Sequence, residues 1–350
     1  MNKEQIIQYY LKSHNVKKLT DFLNDASNNH ISCLGLIGSS RAYIVAATAE
    51  TTGGHSFVIC SDKEKAAYFY NDLENIYGEK DTDYSKKRIL FYPTSYKRPY
   101  EPEKPDNTYI LSRTEVLQRI SSSERKTIIV TYPEALSEKV ITRKVMTKNT
   151  YKISVGNNIS IDSLADTLCN FNFEHVDFVV EPGQFSIRGG IVDVFSYSSE
   201  LPYRIDFFGD EVDSIRTFDT TNQLSVDTID ECTIVGNVLN AENAEKKHTL
   251  VDYLPKDTIV MMDNDEFVLG TLANRGAENA VAKIEKMRCL NIHGEKRNGI
   301  IADANLSPVF AKNYNLLADY IKKQKEVCGS VLIATENARQ RERLETILSD

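Results

Sequence analysis

The 350-residue sequence predicts an α/β protein in which a parallel-sheet domain is interrupted by a smaller, hairpin-rich α+β domain. Three textures along the chain predict it. From Ser32 to Glu138 short apolar runs alternate with helical periodicity, from about Tyr151 closely spaced extended runs take over, and after Lys246 the alternating texture returns. Strands separated by crossover helices require a mostly parallel sheet with helices on both faces, whereas short strands punctuated by Gly-Gly, Ser-Ser and Gly-Asp require antiparallel hairpins.

In order, residues 3–25 read as helices, followed by the strand "SCLGLI", the helix "RAYIVAATAE", the strand "SFVIC" and the helix "KEKAAYFYNDLENIYG". Next come the strand "RILFYP", the helix "YILSRTEVLQRI", the strand "TIIVTY" and the short "PEALSEKV". Beyond Tyr151 one helix, "SIDSLADTLCNF", precedes the extended runs "HVDFVV", "QFSIR", "IVDVF", "YRIDFF" and "TIDECTIV". The returning segment holds "TLVDYLP", "DTIVMMD", a helical "EFVLGTLANRGAENAVAKIEKMRCL" and "NGIIA", and the tail reads helix, strand, helix. The last helical pattern is cut by the end of the sequence, which predicts a piece of a longer protein.

Composition narrows the function classes. A hydrophobic fraction of 41% with 26% charged residues is that of an ordinary soluble protein. No run approaches a membrane span and the start lacks a signal-peptide core, so the cytoplasm is the expected compartment. The net charge of -8 opposes a broad nucleic-acid-binding face. Cys33, Cys60, Cys169, Cys232, Cys289 and Cys328 are scattered without Cys-x-x-Cys or His at ligand spacing, and read as reduced structural thiols. No metal is expected, and the six histidines suggest no catalytic constellation.

The stretch "GLIGSSRA" at 35–42 sits between a strand and a helix, where a phosphate-binding loop belongs. Such a loop needs a second glycine, a Lys for the terminal phosphates and a hydroxyl for magnesium. Counting from Gly35, with Gly38 inside the loop, those positions are Ser40, Arg41 and Ala42. All three lose the chemistry, so no bound cofactor and no ATP hydrolysis are expected here, and the segment reads as a tight strand-to-helix turn.

Side chains alternate along a strand, so in "YRIDFF" Tyr203, Ile205 and Phe207 share one face and Arg204, Asp206 and Phe208 the other. In "QFSIRGGIVDVF" Gly189 and Gly190 mark the turn, and Ser186 and Arg188 point away from Phe185 and Ile187. Arg188, Arg204 and Phe208 can therefore share an exposed face, of the residue types that dominate interfaces. The acidic group Asp206, Asp210, Glu211 and Asp213 reads as a solvated turn. The segment 91–105, "FYPTSYKRPYEPEKP", mixes tyrosines with Lys97, Arg98 and Lys104; its four prolines favour an extended surface loop over nucleic-acid contact.

Residues 179–219, "VVEPGQFSIRGGIVDVFSYSSELPYRIDFFGDEVDSIRTFD", resemble a signature shared by the excision-repair protein UvrB and the amino-terminal UvrB-like module of bacterial transcription-repair coupling factors (Mfd). "GLIGSSRA", "FYPTSYKRPYEP", "TYPEAL" and "LVDYLPKDTIVMMD" add to the resemblance. UvrB keeps an intact P-loop and inserts a long DNA-clamping hairpin after its tyrosine-rich segment. Here the loop is degenerate, and only "DNTYILSRTEVLQRISSSERK" separates residue 105 from "TIIVTY". The chain thus resembles the coupling-factor family.

The resemblance implies a helicase-like, RecA-type parallel-sheet fold with a degenerate P-loop, split into residues 1–148 and 237–304 around a UvrA-binding small domain at 149–236, with 305–350 opening the next domain. It implies a non-catalytic adaptor that recruits UvrA to stalled RNA polymerase in nucleotide excision repair, through Arg188 in "SIRGG", Arg204 in "PYRID" and Phe208 in "DFFGD". Intact family members continue through an RNA-polymerase-binding domain and an ATP-driven translocase on duplex DNA, so ATP and magnesium are expected only there. The alternatives are a UvrB-like DNA-dependent ATPase, marked by nucleotide binding, and a duplex-DNA module working through 91–105, marked by steep salt dependence.

Overall fold

The computed structural model describes residues 3–25, 29–80, 86–95, 97–98, 101–105, 107–122, 126–237, 246–293, 299–302, 304–311, 313–328, 331–335 and 337–349. They divide into two units, residues 1–303 and 304–350.

The first unit opens with helices α1 (Lys3–Leu11) and α2 (His14–Asn24), then strand β1 (His30–Leu34), α3 (Ser40–Thr51), β2 (Ser56–Ile59), α4 (Lys63–Tyr77) and β3 (Ile89–Phe91). A two-stranded ribbon, β4 (Lys97–Arg98) and β5 (Glu101–Pro105), precedes α5 (Asn107–Ser122), β6 (Ile128–Thr131), α6 (Pro133–Ser137), β7 (Val140–Ile141) and α7 (Arg143–Lys148). Local signals fix the helix ends. Asp62 caps α4 by accepting from the Lys65 amide at 2.8 Å, and Gly78 ends it in the left-handed conformation.

The small domain comprises β8 (Thr150–Ser154), α8 (Ile161–Asn170), β9 (Glu174–His175), β10 (Gln184–Arg188), β11 (Ile191–Val194), β12 (Tyr203–Phe208), β13 (Glu211–Phe218), β14 (Ser225–Ile229) and β15 (Glu231–Val235). Its six-stranded sheet runs β14-β13-β12-β11-β10-β9 and is antiparallel except for the β9–β10 pair. Phe185, Val192, Val194, Ile205 and Ile215 on one face meet Leu164 and Leu168 of α8 in a core of their own. Two expected strands differ. "TIDECTIV" breaks at Asp230, because β14 extends the six-stranded sheet while β15 turns to pair with β8. In "HVDFVV" only His175 stays in the sheet, and Val179 leaves to be buried against Phe195 and Phe218.

The chain then returns through β16 (Lys246–His248), which pairs with β7, to β17 (Ile259–Met262), α9 (Asp265–Asn274), α10 (Glu278–Ile284), β18 (Arg288–Asn291) and β19 (Gly299–Ile301). The run expected as one helix, "EFVLGTLANRGAENAVAKIEKMRCL", is two helices and a strand, because Gly276 takes a positive φ of 76° after α9 and Arg288 enters the sheet.

The large sheet has seven parallel strands in the order β19-β1-β18-β17-β2-β6-β3. Strands β17 and β18, which follow the small domain in sequence, fill the gap between β1 and β2, so the two flanking segments form one sheet. Strand progression reverses between β1→β2 and β17→β18, and right-handed crossovers then place α3 and α9 on opposite faces. Phe57, Val58, Ile129, Val130, Val260 and Met261 are wholly buried, as both-face coverage demands.

In the second unit α11 (Tyr314–Cys328) and α12 (Ala338–Ser349) contact each other, and α11 buries none of its residues. Residues 331–335, expected as a strand, pair with nothing among the described residues of this unit.

Candidate functional site

The three residues singled out by alternation lie on one face of the small sheet, opposite its core. Register pairs Asp193 with Arg204 across β11 and β12 and with Ser186 across β10, so Arg188 reaches Asp193 on the diagonal. Arg204 grips the carboxylate with both ends of its fork, Nε donating to Oδ1 at 2.7 Å and Nη2 to Oδ2 at 2.9 Å. Arg188 donates to the same Oδ2 through Nη2. One carboxylate, only 1% exposed, thus holds two guanidinium groups, and their excess positive charge faces outward.

The two arginines are not equivalent. Arg204 is 14% exposed at its side chain, donates Nη1 to the Gln223 carbonyl at 3.1 Å, and stacks its guanidinium 4.3 Å from the Phe218 ring. The hydrogen bonds to Asp193 push its pKa further up. Arg188 is 38% exposed, with its guanidinium 5.4 Å from the Phe178 ring. Arg204 is built into the face, and Arg188 projects from it.

Phe208 ends β12 and is 83% exposed. It lies four residues from Arg204, about 13 Å along the strand, beside the turn made by Gly209 at φ 64°. A register shift at Asp206/Phe207 precedes it, where Gly190 leaves only 3.0 Å between a hypothetical Cβ and the Phe207 carbonyl oxygen. A bulky residue at 190 would therefore push β12 and Phe208 away.

Sequence reasoning missed three parts of this face. Asp193 sat in the apolar run "IVDVF", and a lone acid there was the available signal. Phe218 and Phe178 required knowing which segment returns beneath Arg204 and Arg188. The acidic group does not converge: Asp206 accepts from Arg216 at 2.6 Å and Ser214 at 2.9 Å, and among the described residues no cluster of three potential metal ligands occurs.

In the 35–42 loop backbone donors bond within the turn. The Ile37 amide donates to Ser40 Oγ at 2.9 Å, that hydroxyl donates back to the Ile37 carbonyl at 2.6 Å, and the Arg41 amide turns to the Gly38 carbonyl at 3.4 Å. A phosphate cradle needs such amides pointing outward. Arg41 extends away to donate to His293 Nδ1 at 3.1 Å, at the end of β18, and Ala42 is buried. Gly35 serves packing: at φ 76°, a Cβ there would lie 2.2 Å from the Ala302 carbonyl oxygen beyond β19.

The 91–105 segment is rooted in a buried network. Arg113, fully buried, lies 4.4 Å over the Tyr92 ring, donates to the Pro93 carbonyl at 2.7 Å and pairs with Glu138 at 2.9 Å. Beyond this root the chain forms the β4–β5 ribbon rather than an unpaired loop. Tyr96 and Tyr100, and the side chains of Lys97, Arg98 and Lys104, lie outside the described residues. All six cysteines are free thiols. Burial pushes Cys33 up to about 11 and Cys232 and Cys289 up to about 12, so these three remain protonated and inert.

The family described as the UvrB interaction domain matches residues 151–238, the small sheet and its helix. The chain is 30% identical over 224 residues to the transcription-repair-coupling factor of Bacillus subtilis, covering 64% of this chain and 18% of that protein. It is 30% identical over 195 residues to the transcription-repair-coupling factor of Escherichia coli, covering 56% and 16%. The UvrABC system protein B of Thermosipho africanus is 24% identical over 223 residues, covering 63% and 34%. The chain thus spans less than a fifth of the coupling factors it matches.

Proposed function

We propose that this chain, which carries a UvrB interaction domain within an α/β scaffold similar to coupling factors, is the UvrA-recruiting adaptor module of a transcription-repair coupling factor. One observation carries the reading: Phe208, 83% exposed, stands on the same sheet face as the Arg188–Asp193–Arg204 cluster. An exposed aromatic beside clustered guanidinium groups is the composition of an interface hot spot. Arg188 offers charge-assisted hydrogen bonds to an acidic group of UvrA, and Phe208 offers apolar area. Arg204 holds Asp193 and thereby the geometry of Arg188.

The segment acts without catalysis. The Ile37, Ser40 and Arg41 amides bonded within the turn, and the absence of Lys and hydroxyl at 41 and 42, support a phosphate loop that persists only as a turn. In the whole protein the module adds recruitment of repair to an ATP-driven translocase that acts on duplex DNA and stalled RNA polymerase, in the cytoplasm.

Calorimetric titration of purified UvrA with the chain tests this. Binding by the native chain, lost in folded Phe208→Ala and weakened in Arg188→Ala, is the expected result. No binding by the native chain overturns the adaptor reading, and equal binding by all three overturns the site.

A further inference from the structure

Phe178 is a second large aromatic on this face, exposed among the described residues. It is 61% exposed, and Val180 beside it is 51% exposed. The backbone around it is fastened on both sides. Ser186 Oγ donates to the Asp177 carbonyl at 2.9 Å, and Gln184 Oε1 accepts from the Val180 and Glu181 amides, each at 3.0 Å. Val179 is wholly buried against Phe195 and Phe218. Val179 is thus turned inward from a bend at residues 177–178, while Phe178 and Val180 on either side of it are turned outward.

The ring has one described partner, the Arg188 guanidinium at 5.4 Å. Arg188 is therefore held between two groups, the Asp193 carboxylate and the face of an aromatic ring. Of its five donors it commits one to Asp193 among the described contacts. Stacking on the ring orients the remaining donors while keeping them solvated.

We propose that Phe178 is a contact residue of the UvrA-docking face: an apolar anchor, with Val180, at the β10 side that also presents Arg188 to an acidic group on the partner. This rests on the UvrA reading above. Arg188 selects the partner's chemistry, since it is 38% exposed beside the Phe178 ring and commits one of its donors to Asp193 among the described contacts, leaving a guanidinium edge that suits an acidic group. Continuity selects the same partner, because Phe178 touches Arg188, which the proposed interface already uses. The matching surface is a carboxylate flanked by apolar side chains.

The experiment is calorimetric titration of UvrA with the full chain as native protein, Phe178→Ala, Phe178→Leu and Phe208→Ala, each checked by thermal denaturation. Phe178→Ala is expected to weaken binding about tenfold with an unchanged melting temperature. Phe178→Leu keeps apolar area and loses the π face, so it is expected to weaken binding about two- to fivefold. In the double variant with Arg188→Ala the two losses are expected to be less than additive. Native-like binding by Phe178→Ala, with Phe208→Ala defective, overturns the role of Phe178 and leaves the adaptor reading standing. Failure of the native chain to bind overturns both.

Discussion

Arg204 closes on both oxygens of Asp193 across the β11–β12 pair, at 2.7 and 2.9 Å, while the carboxylate it holds is almost wholly buried. This bond makes the face a structure as well as a surface. Removing the guanidinium leaves a buried carboxylate with Arg188 alone, and breaking a buried pair costs about 3–5 kcal/mol. Arg204→Ala is expected to destabilise the chain by that order in urea denaturation. Arg204→Lys keeps the charge and loses the fork, and is expected to cost about 1–3 kcal/mol. Equal stability of both variants to native protein would show that the pair is not structural.

Phe208 is expected to behave in the opposite way. Its ring is 83% exposed, so Phe208→Ala is expected to change stability by less than about 0.5 kcal/mol. The same denaturation series gives the contrast: a large effect at 204 and none at 208.

Gly35 and Gly38 share a positive φ and differ in surroundings. At Gly35 an added Cβ meets the Ala302 carbonyl oxygen at 2.2 Å, whereas at Gly38 nothing lies within 4 Å. Gly35→Ala is expected to lower stability by well over about 2 kcal/mol, because β19 must shift from β1, and Gly38→Ala by about 1–2 kcal/mol of backbone strain. Comparable costs at the two positions would mean that close approach to β19 is not what requires Gly35.

The loop's amides, bonded within the turn, predict that the chain does not bind nucleotide. Titration with a fluorescent ATP analogue and magnesium is expected to give no saturable signal at millimolar concentration. Saturable binding would favour the DNA-dependent ATPase reading over the adaptor.

His55 sets a pH dependence. Its Nδ1 accepts from the Thr127 amide at 3.2 Å, and burial lowers its pKa below the usual 6.5, with Arg119 acting the same way and Asp257 opposing. The folded state therefore binds this proton less readily than the unfolded state. The stability it contributes is complete above about pH 6.5 and is lost as pH falls toward the folded pKa. His55→Asn keeps an acceptor for Thr127 and cannot titrate. Native protein is expected to lose melting temperature between pH 7.5 and pH 5.5 more steeply than the variant. Parallel pH curves would remove His55 as the cause.

The sequence by itself determined what is local. Period-two alternation set Arg204, Asp206 and Phe208 on one face, Gly189 and Gly190 marked a hairpin, and Ser40, Arg41 and Ala42 stand where a phosphate loop carries Gly, Lys and a hydroxyl residue. These follow from neighbours along the chain, whose periods of 2 and 3.6 residues are written in it. The tertiary structure decided what depends on distant partners. It seated β17 and β18 between β1 and β2, gave Gly35 its steric reason at Ala302, and joined Arg188 and Arg204 on Asp193. It also buried Val179 so that Phe178 turned out beneath Arg188. Strand register and the covering of a face are set by which remote segments meet, and no local pattern encodes that meeting.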